Sequence, residues 1–266
     1  MRICSFGDVH GNLSALRAVL DAVAREDPDL VVCTGDVVFG WGEPEACADA
    51  VWALGCPWVT GNAEQALLDA PEHRPPSGSA AAVRAAWERG RLGPARLRRL
   101  AALPAGLALH LRDAGTVRAA HGCPPARITP GVRAAGQAEA GDNVASDDDV
   151  RAWLGEDPPG LFLCGHTHVP TVRRLGPTWA VNPGSVGYGI HPDAPERYQT
   201  GNAWARFAVA DWCAERGWSA SVRRVAYDVD EAVRALARAP WADADEIGRR
   251  LAFVRRPAVP GPDPVP

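Results

Sequence analysis

"LFLCGHTHVP", residues 161–170, places two imidazoles two positions apart directly after a short apolar run. Such a run, broken by Gly165, reads as a buried strand whose polar residues stand at its carboxyl end. The same arrangement recurs along the chain. Residues 2–6 read as a strand ending in Gly7-Asp8-Val9-His10-Gly11, and "PDLVVCTGD" (28–36) ends in Gly35-Asp36. "CPWVTGN" (56–62) ends in Gly61-Asn62, and "TVRAAHG" (116–122) ends in His121.

Between the first of these runs lie helical patterns. From Asn12, an N-cap residue type, Leu13, Leu16, Val19, Leu20 and Val23 follow helical spacing. Pro44 opens a second helix with Cys47, Ala50, Val51 and Leu54 on one face. The β-α-β-α-β alternation predicts parallel strands covered by helices. In open parallel sheets, ligands bind beyond the carboxyl ends of the strands. Seven side chains from five strands therefore aim at one rim: Asp8, His10, Asp36, Asn62, His121, His166 and His168. A Gly beside the candidates lets the backbone turn sharply there. The i,i+2 spacing of Asp8/His10 and of His166/His168 puts both members of each pair on one side of an extended segment.

Residues 62–103 read as helical, broken by the loop "APEHRPPSGS". Short strands follow at "GLALHL" and "TVRAAHG", then a polar loop region and a helix near 147–154. Further strands are "TVRRL", "TWAVN", "WARFAVAD" and "SASVRRVAYDV", with two helices after them. We expect a single domain over residues 1–255, a helical insertion at 62–110 near the site, and a Pro-rich disordered tail at 256–266.

The chain has 266 residues, 47% hydrophobic and 23% charged, with a formal net charge of −4, which fits an ordinary globular protein and gives no general reason to expect nucleic acid or an anionic membrane as partner. No DNA-binding module is evident. All 28 basic residues are Arg. Without Lys, a Walker P-loop, a kinase-type Lys and a Schiff-base Lys are excluded. The seven cysteines are scattered without a CxxC, which suits a reducing cytoplasm better than a disulfide framework. No apolar run approaches the roughly 20 residues of a membrane span. The acidic residue at position 8 interrupts any signal-peptide core, so the expected location is cytoplasmic.

Two Asp, one Asn and four His form a mixed oxygen and nitrogen set, suited to manganese, iron, zinc, nickel or cobalt. Seven ligands exceed one tetrahedral zinc. They suit two ions that share a carboxylate about 3.5–4 Å apart, as in two-metal phosphoryl transfer.

The blocks "GDVHGN", "GDVVFGWG", "GNAE", "HG", "GHTH" and "NPGSVG" stand in the order of the calcineurin-like metallophosphoesterase superfamily. The chain resembles that family over about residues 1–230, and is most similar to its small bacterial and archaeal phosphodiesterase branch. The resemblance implies an α/β fold, a four-layer α/β/β/α sandwich with two mixed sheets flanked by helices. It implies that Asp8, His10, Asp36 and His168 bind one metal, and that Asp36, Asn62, His121 and His166 bind the other. Asp36 would bridge, and Asp36, Asn62 and His121 would be the catalytic residues. "NPGSVG" (182–187) would pack beside the "GHTH" loop. Manganese is the first choice of metal, with iron, nickel, cobalt and zinc as alternatives.

One block departs from the family pattern. The third motif is typically GNH followed by Asp or Glu, and its His protonates the leaving oxygen or steadies the phosphoryl group. This chain has Ala63 there, with Glu64 retained. The loss of a positioned acid costs about 10²–10⁴-fold. His73 and His191, both in loops, are the candidate substitute acids, against the plainer reading of solvated surface histidines. His110 alternates with Leu107, Leu109 and Leu111 and points away from their face. The basic stretch 89–99 reads either as a rim for an anionic substrate or as a solvated helix face.

The expected activity is a phosphodiesterase reaction on a small phosphate ester, nucleotide-derived esters among the candidates, in which a hydroxide between the two metals attacks phosphorus in line. A monoester dianion gains more from protonation of its leaving alkoxide, so the missing His favours diesters. The alternatives are a phosphomonoesterase or dinucleoside-polyphosphate hydrolase and, in another class, a non-catalytic binding scaffold on the same fold. The oligomeric state has no sequence signature.

Overall fold

A computed structural model of the protein describes residues 1–70, 80–122, 131–132, 144–145, 147–188 and 204–254. The apolar run at the N-terminus forms β1 (Arg2–Phe6), followed by helix α1 (Leu13–Arg25) and β2 (Leu30–Cys33). Helix α1 starts where expected, because the Asn12 side chain accepts the Ala15 N–H at 3.1 Å. Helix α2 (Pro44–Leu54) has Pro at its first turn and ends on Gly55, whose φ of 66° costs least for a residue without Cβ. Helices α3 (Asn62–Asp69) and α4 (Ala80–Ala101) follow, α4 kinked at Gly93-Pro94.

The remaining elements are β3 (Gly106–Leu111), β4 (Gly115–Ala120), the short parallel pair β5 (Gly131–Val132) and β6 (Val144–Ala145), and α5 (Asp147–Leu154). Then come β7 (Leu161–Leu163), β8 (Thr171–Leu175), β9 (Thr178–Asn182), β10 (Trp204–Cys213), β11 (Gly217–Ala226), α6 (Val229–Leu236) and α7 (Ala244–Val254). The 62–110 segment thus holds two helices, but its end is β3, paired antiparallel with β4. The Pro-rich stretch 256–266 lies outside the described residues, as do His73 and His191.

Two mixed sheets result. One has the order β11-β10-β1-β2, with β1 and β2 parallel and β10 antiparallel to both neighbours. The other has the order β3-β4-β7-β9-β8, with its three central strands parallel. The expected third strand at 56–62 is reduced to one parallel bridge between Cys33 and Trp58. The Cys33 N–H reaches the Pro57 carbonyl and Val59 N–H reaches the Cys33 carbonyl. Beyond that the chain leaves the sheet, since the Thr60 N–H turns to the carbonyl of Pro104.

Period-two alternation decides which side chain enters which layer. Ile3, Val32, Ala208 and Ala210 of the first sheet meet Val117, Ala119, Leu161, Leu163 and Val181 of the second in one buried layer. Their neighbours Cys4, Phe6, Cys33, Phe207 and Val209 face the other way, against Leu16, Val19 and Val23 of α1 and Cys47 and Val51 of α2. On the far side, Phe162, Cys164 and Ala180 pack on Val150 and Leu154 of α5. This is the expected α/β/β/α sandwich. None of the described helices is long and apolar enough to cross a membrane.

Leu163 is 1% exposed between the sheets. Leu163→Ala should destabilise the protein by about 2–5 kcal/mol through lost burial and a residual cavity. Leu54→Ala on the α2 surface should cost far less. Midpoints of urea unfolding check the pair, and equal shifts would contradict this layer assignment.

Candidate metal centre

All seven residues that the sequence singled out at strand ends come together where β1, β2, β4 and β7 finish. The His168 Nε2 atom lies 3.2 Å from Asp8 Oδ1 and 3.1 Å from His10 Nε2. His10 Nε2 in turn lies 3.8 Å from Asp36 Oδ2. On the other side of Asp36, the same Oδ2 is 3.3 Å from His121 Nε2. Asn62 Oδ1 completes that side, 3.0 Å from His121 Nε2 and 2.7 Å from His166 Nδ1. Two groups of side chains are close enough to hold an ion: Asp8, His10 and His168, and Asp8, Asp36 and His121.

The turns that bring them there differ from the expected ones. Asp8, His10, Asp36, His166 and His168 have φ between 52° and 74°. They make up five of the seven non-glycine residues with positive φ among those described, so the strain is concentrated at the site. Neither i,i+2 pair lies in an extended segment. Of the glycines just before the candidates, Gly7, Gly61 and Gly165 are not left-handed, while Gly35 is, at 99°. Gly61 and Gly165 act instead by lacking a Cβ. At Gly165 a Cβ would stand 2.7 Å from Asp8 Oδ2, and at Gly61 it would run into the Asp36 carboxylate.

Backbone carbonyls fix the imidazoles. His10 Nδ1 faces the Phe39 carbonyl at 3.1 Å, and His121 Nδ1 faces the Thr34 carbonyl at 2.8 Å. Each Nδ1 therefore donates, and each Nε2 lone pair turns inward, toward carboxylates and the Asn62 oxygen. Acceptors facing acceptors in a buried cluster require positive charge. Burial alone would lower the basicity of His121, but Asp36 outweighs it and holds His121 up at about 10. Burial pushes His10 down to about 4, against the pull of Asp36, and burial with His121 lowers His166. Both Asp8 and Asp36 stay below the ordinary carboxylate range despite burial, through His168 and His121 respectively. This donor set of buried carboxylates, inward imidazole nitrogens and an amide oxygen fits divalent cations.

A third layer of residues holds the cluster. The Glu64 side chain accepts N–H bonds from Asp36 (2.9 Å), Val37 (2.7 Å), Val38 (3.3 Å) and Gly61 (2.8 Å). Burial, and next Asp36, push its carboxyl up to about 7, while the Gly61 N–H pulls it back. Glu88 of α4, also fully buried, accepts from Phe39 (2.7 Å) and Gly40 (3.0 Å). Sequence reading found Glu64 but missed Glu88; its only signal was an acidic residue amid the small and apolar residues Ala85, Ala86 and Trp87. "NPGSVG" lies where expected. Asn182 Nδ2 donates to the Gly165 carbonyl at 2.7 Å, and Ser185 Oγ donates to the Asp8 carbonyl at 2.8 Å. Tyr188, not singled out from the sequence, stands edge-on to His10, ring centroids 4.8 Å apart.

The other sequence candidates fall elsewhere. His110 is exposed and bonds Thr116 Oγ1 at 3.1 Å, away from the cluster. The basic stretch 89–99 is partly exposed and also packs against α2. Arg91 pairs with Glu45, Arg96 Nε donates to Asp49 at 2.8 Å, and Arg99 lies over Trp52, so the stretch clamps α4 onto α2.

The family profile described as the calcineurin-like phosphoesterase superfamily domain matches residues 1–200. The chain belongs to this superfamily, whose enzymes hydrolyse phosphate esters with divalent metals. It is 24% identical over 238 residues to an uncharacterised protein of Methanocaldococcus jannaschii, covering 86% of this chain and 89% of that one. A crystal structure of a metallophosphoesterase from Sphaerobacter thermophilus superposes with a TM-score of 0.70 at 23% identity, covering 96% of this chain and 99% of that one. A protein from Pyrococcus horikoshii OT3 gives the same TM-score at 17% identity, with 93% and 96% covered. At these identities the two structures speak for the fold.

Glu64→Ala would strip acceptors from four buried N–H groups. A loss of at least about 3 kcal/mol in unfolding free energy is expected. Glu88→Ala, which frees two, should cost less. Denaturant unfolding of both variants checks the order, which would be contradicted by Glu88→Ala being the more damaging.

Proposed function

We propose that the protein is a phosphodiesterase that works with two divalent metal ions, manganese being the first choice. In this reading Asp8, His10, Asp36 and His168 hold one ion and Asp36, Asn62, His121 and His166 the other. The observation that carries it is the position of Asp36 Oδ2, 3.8 Å from His10 Nε2 and 3.3 Å from His121 Nε2. The other oxygen, Oδ1, is tied to the Ala63 N–H at 2.7 Å. One oxygen is thereby fixed and its partner is left to serve both halves of the cluster.

Bound ions would supply Lewis acidity, activating water and neutralising charge on the phosphoryl oxygens. The chain's own residues position that chemistry. Carbonyls of Phe39 and Thr34 hold His10 and His121 with Nε2 inward. The His166 N–H, 3.2 Å from both oxygens of Asp8, keeps that carboxylate turned toward His168. With Ala63 in place of an acidic His, no side chain at that position delivers a proton to the leaving oxygen. Diesters with acidic leaving groups suit this arrangement best, because they depart without one.

Asp36→Asn is expected to lower metal content and to cut kcat/KM for bis(p-nitrophenyl) phosphate by at least about 100-fold. Elemental analysis and steady-state rates with added manganese check this. Full metal loading with full turnover would overturn the proposal. Across a series of aryl diesters, rates should drop steeply as leaving-group pKa rises; a flat series would mean that an acid is present after all.

A further inference from the structure

Among the described residues, one charged side chain near the cluster has aromatic neighbours but no ion-pair partner. Arg84 of α4 is pinned between two rings, its guanidinium carbon 5.1 Å from the centroid of Phe39 and 4.5 Å from that of Trp241. Its Nε is buried and makes no hydrogen bond, and no ion pair engages Arg84 among the described residues. Elsewhere on this helix Arg89 bonds the Leu67 carbonyl, Arg91 pairs with Glu45 and Arg96 with Asp49, while Arg99 lies over the single ring of Trp52. A buried donor left open costs about 1–3 kcal/mol, a cost that a ligand can remove. Stacking on aromatic faces meanwhile holds the planar fork ready.

Its position ties it to the metal centre. Phe39, under Arg84, is the residue whose carbonyl faces His10 Nδ1. Glu88, one helical turn on from Arg84 and on the same face of α4, grips the Phe39 and Gly40 N–H groups. Through Phe39, Arg84 is linked to the His10 side of the cluster. We propose that Arg84 binds a second phosphate of the substrate, so that the preferred substrates are phosphate esters with another phosphate beyond the scissile one. This rests on the phosphodiesterase reading and narrows it. A guanidinium fork suits a phosphate through paired, charge-assisted hydrogen bonds.

The test uses the full chain loaded with manganese, with AMP and ADP as competitive inhibitors of bis(p-nitrophenyl) phosphate hydrolysis. The wild type should bind ADP about tenfold or more tightly than AMP, the contribution expected of a charge-assisted pair. Arg84→Ala should bring that ratio close to one at equal metal content. Arg84→Lys should fall between, since it keeps the charge but not the stacked fork. Arg84→Gln carries the test if Arg84→Ala does not fold. A preference that survives the substitution, a wild type with none, or equal losses for AMP and ADP would each overturn the proposal. If the protein hydrolyses no ester at all, the functional reading fails separately. Calorimetric titration of the metal-free protein with AMP and ADP then reads Arg84 alone, by the same ratio.

Discussion

The carboxylate of Asp36 is the point on which the site is assembled. It emerges from β2 in the first sheet and meets His121 from β4 in the second. Away from this rim the two sheets are joined largely by non-directional packing of apolar side chains. Such packing brings layers together but does not set a polar register between them. The Asp36–His121 contact does, together with Asp8–His168 and the His121 bond to the Thr34 carbonyl, in a region where low dielectric strengthens electrostatics and makes a misplaced charge costly. The Ala63 N–H on one oxygen and His121 on the other leave the carboxylate little freedom.

Holding Asp36 there requires backbone that ordinary propensities disfavour, and the surrounding loops supply the compensation. The Asp8 N–H bonds the Gly35 carbonyl at 2.9 Å, the His10 N–H bonds Asp36 at 3.0 Å, and the Gly11 N–H bonds Val37 at 2.8 Å. The loops after β1 and β2 are therefore zipped together beyond the end of their sheet. The loop after β9 is added from the other side, where Gly187 N–H meets the Asp8 carbonyl at 2.9 Å. Glu64 and Glu88 then satisfy every backbone N–H from residue 36 to residue 40. Strained residues at about 1–3 kcal/mol each persist because these bonds over-determine their positions.

Much of this was legible in the sequence because it obeys short-range rules. Leu161 and Leu163 inward with Phe162 and Cys164 outward follow from period two once the run is read as a strand. The seven polar residues were legible because each stands at the end of such a run. What stayed hidden depends on contacts between distant segments. Glu88 lies 49 residues from the Phe39 N–H that it accepts, and nothing local distinguishes it from a surface glutamate. The 89–99 arginines look like an anion-binding rim until Glu45 and Asp49 of α2 are placed beside them. The glycine argument failed for a related reason. Local reading asks which φ a residue permits, whereas Gly61 and Gly165 answer to atoms of Asp36 and Asp8 in other segments.

Ala63 shows how the site separates holding from protonating. In the family pattern a single His at this position provides a backbone N–H and an acidic ring. Here the backbone half survives intact: the Ala63 N–H is 2.7 Å from Asp36 Oδ1, and Ala63 sits buried at the start of α3. Glu64, the next residue, still ties that helix start to the Asp36 loop through the Gly61 N–H. Losing the imidazole therefore leaves the cluster's architecture untouched, because none of the contacts that orient Asp36 runs through the side chain at 63. In the proposed phosphodiesterase reading, what the substitution changes is the proton available to a departing group, and with it the range of esters that would be cleaved.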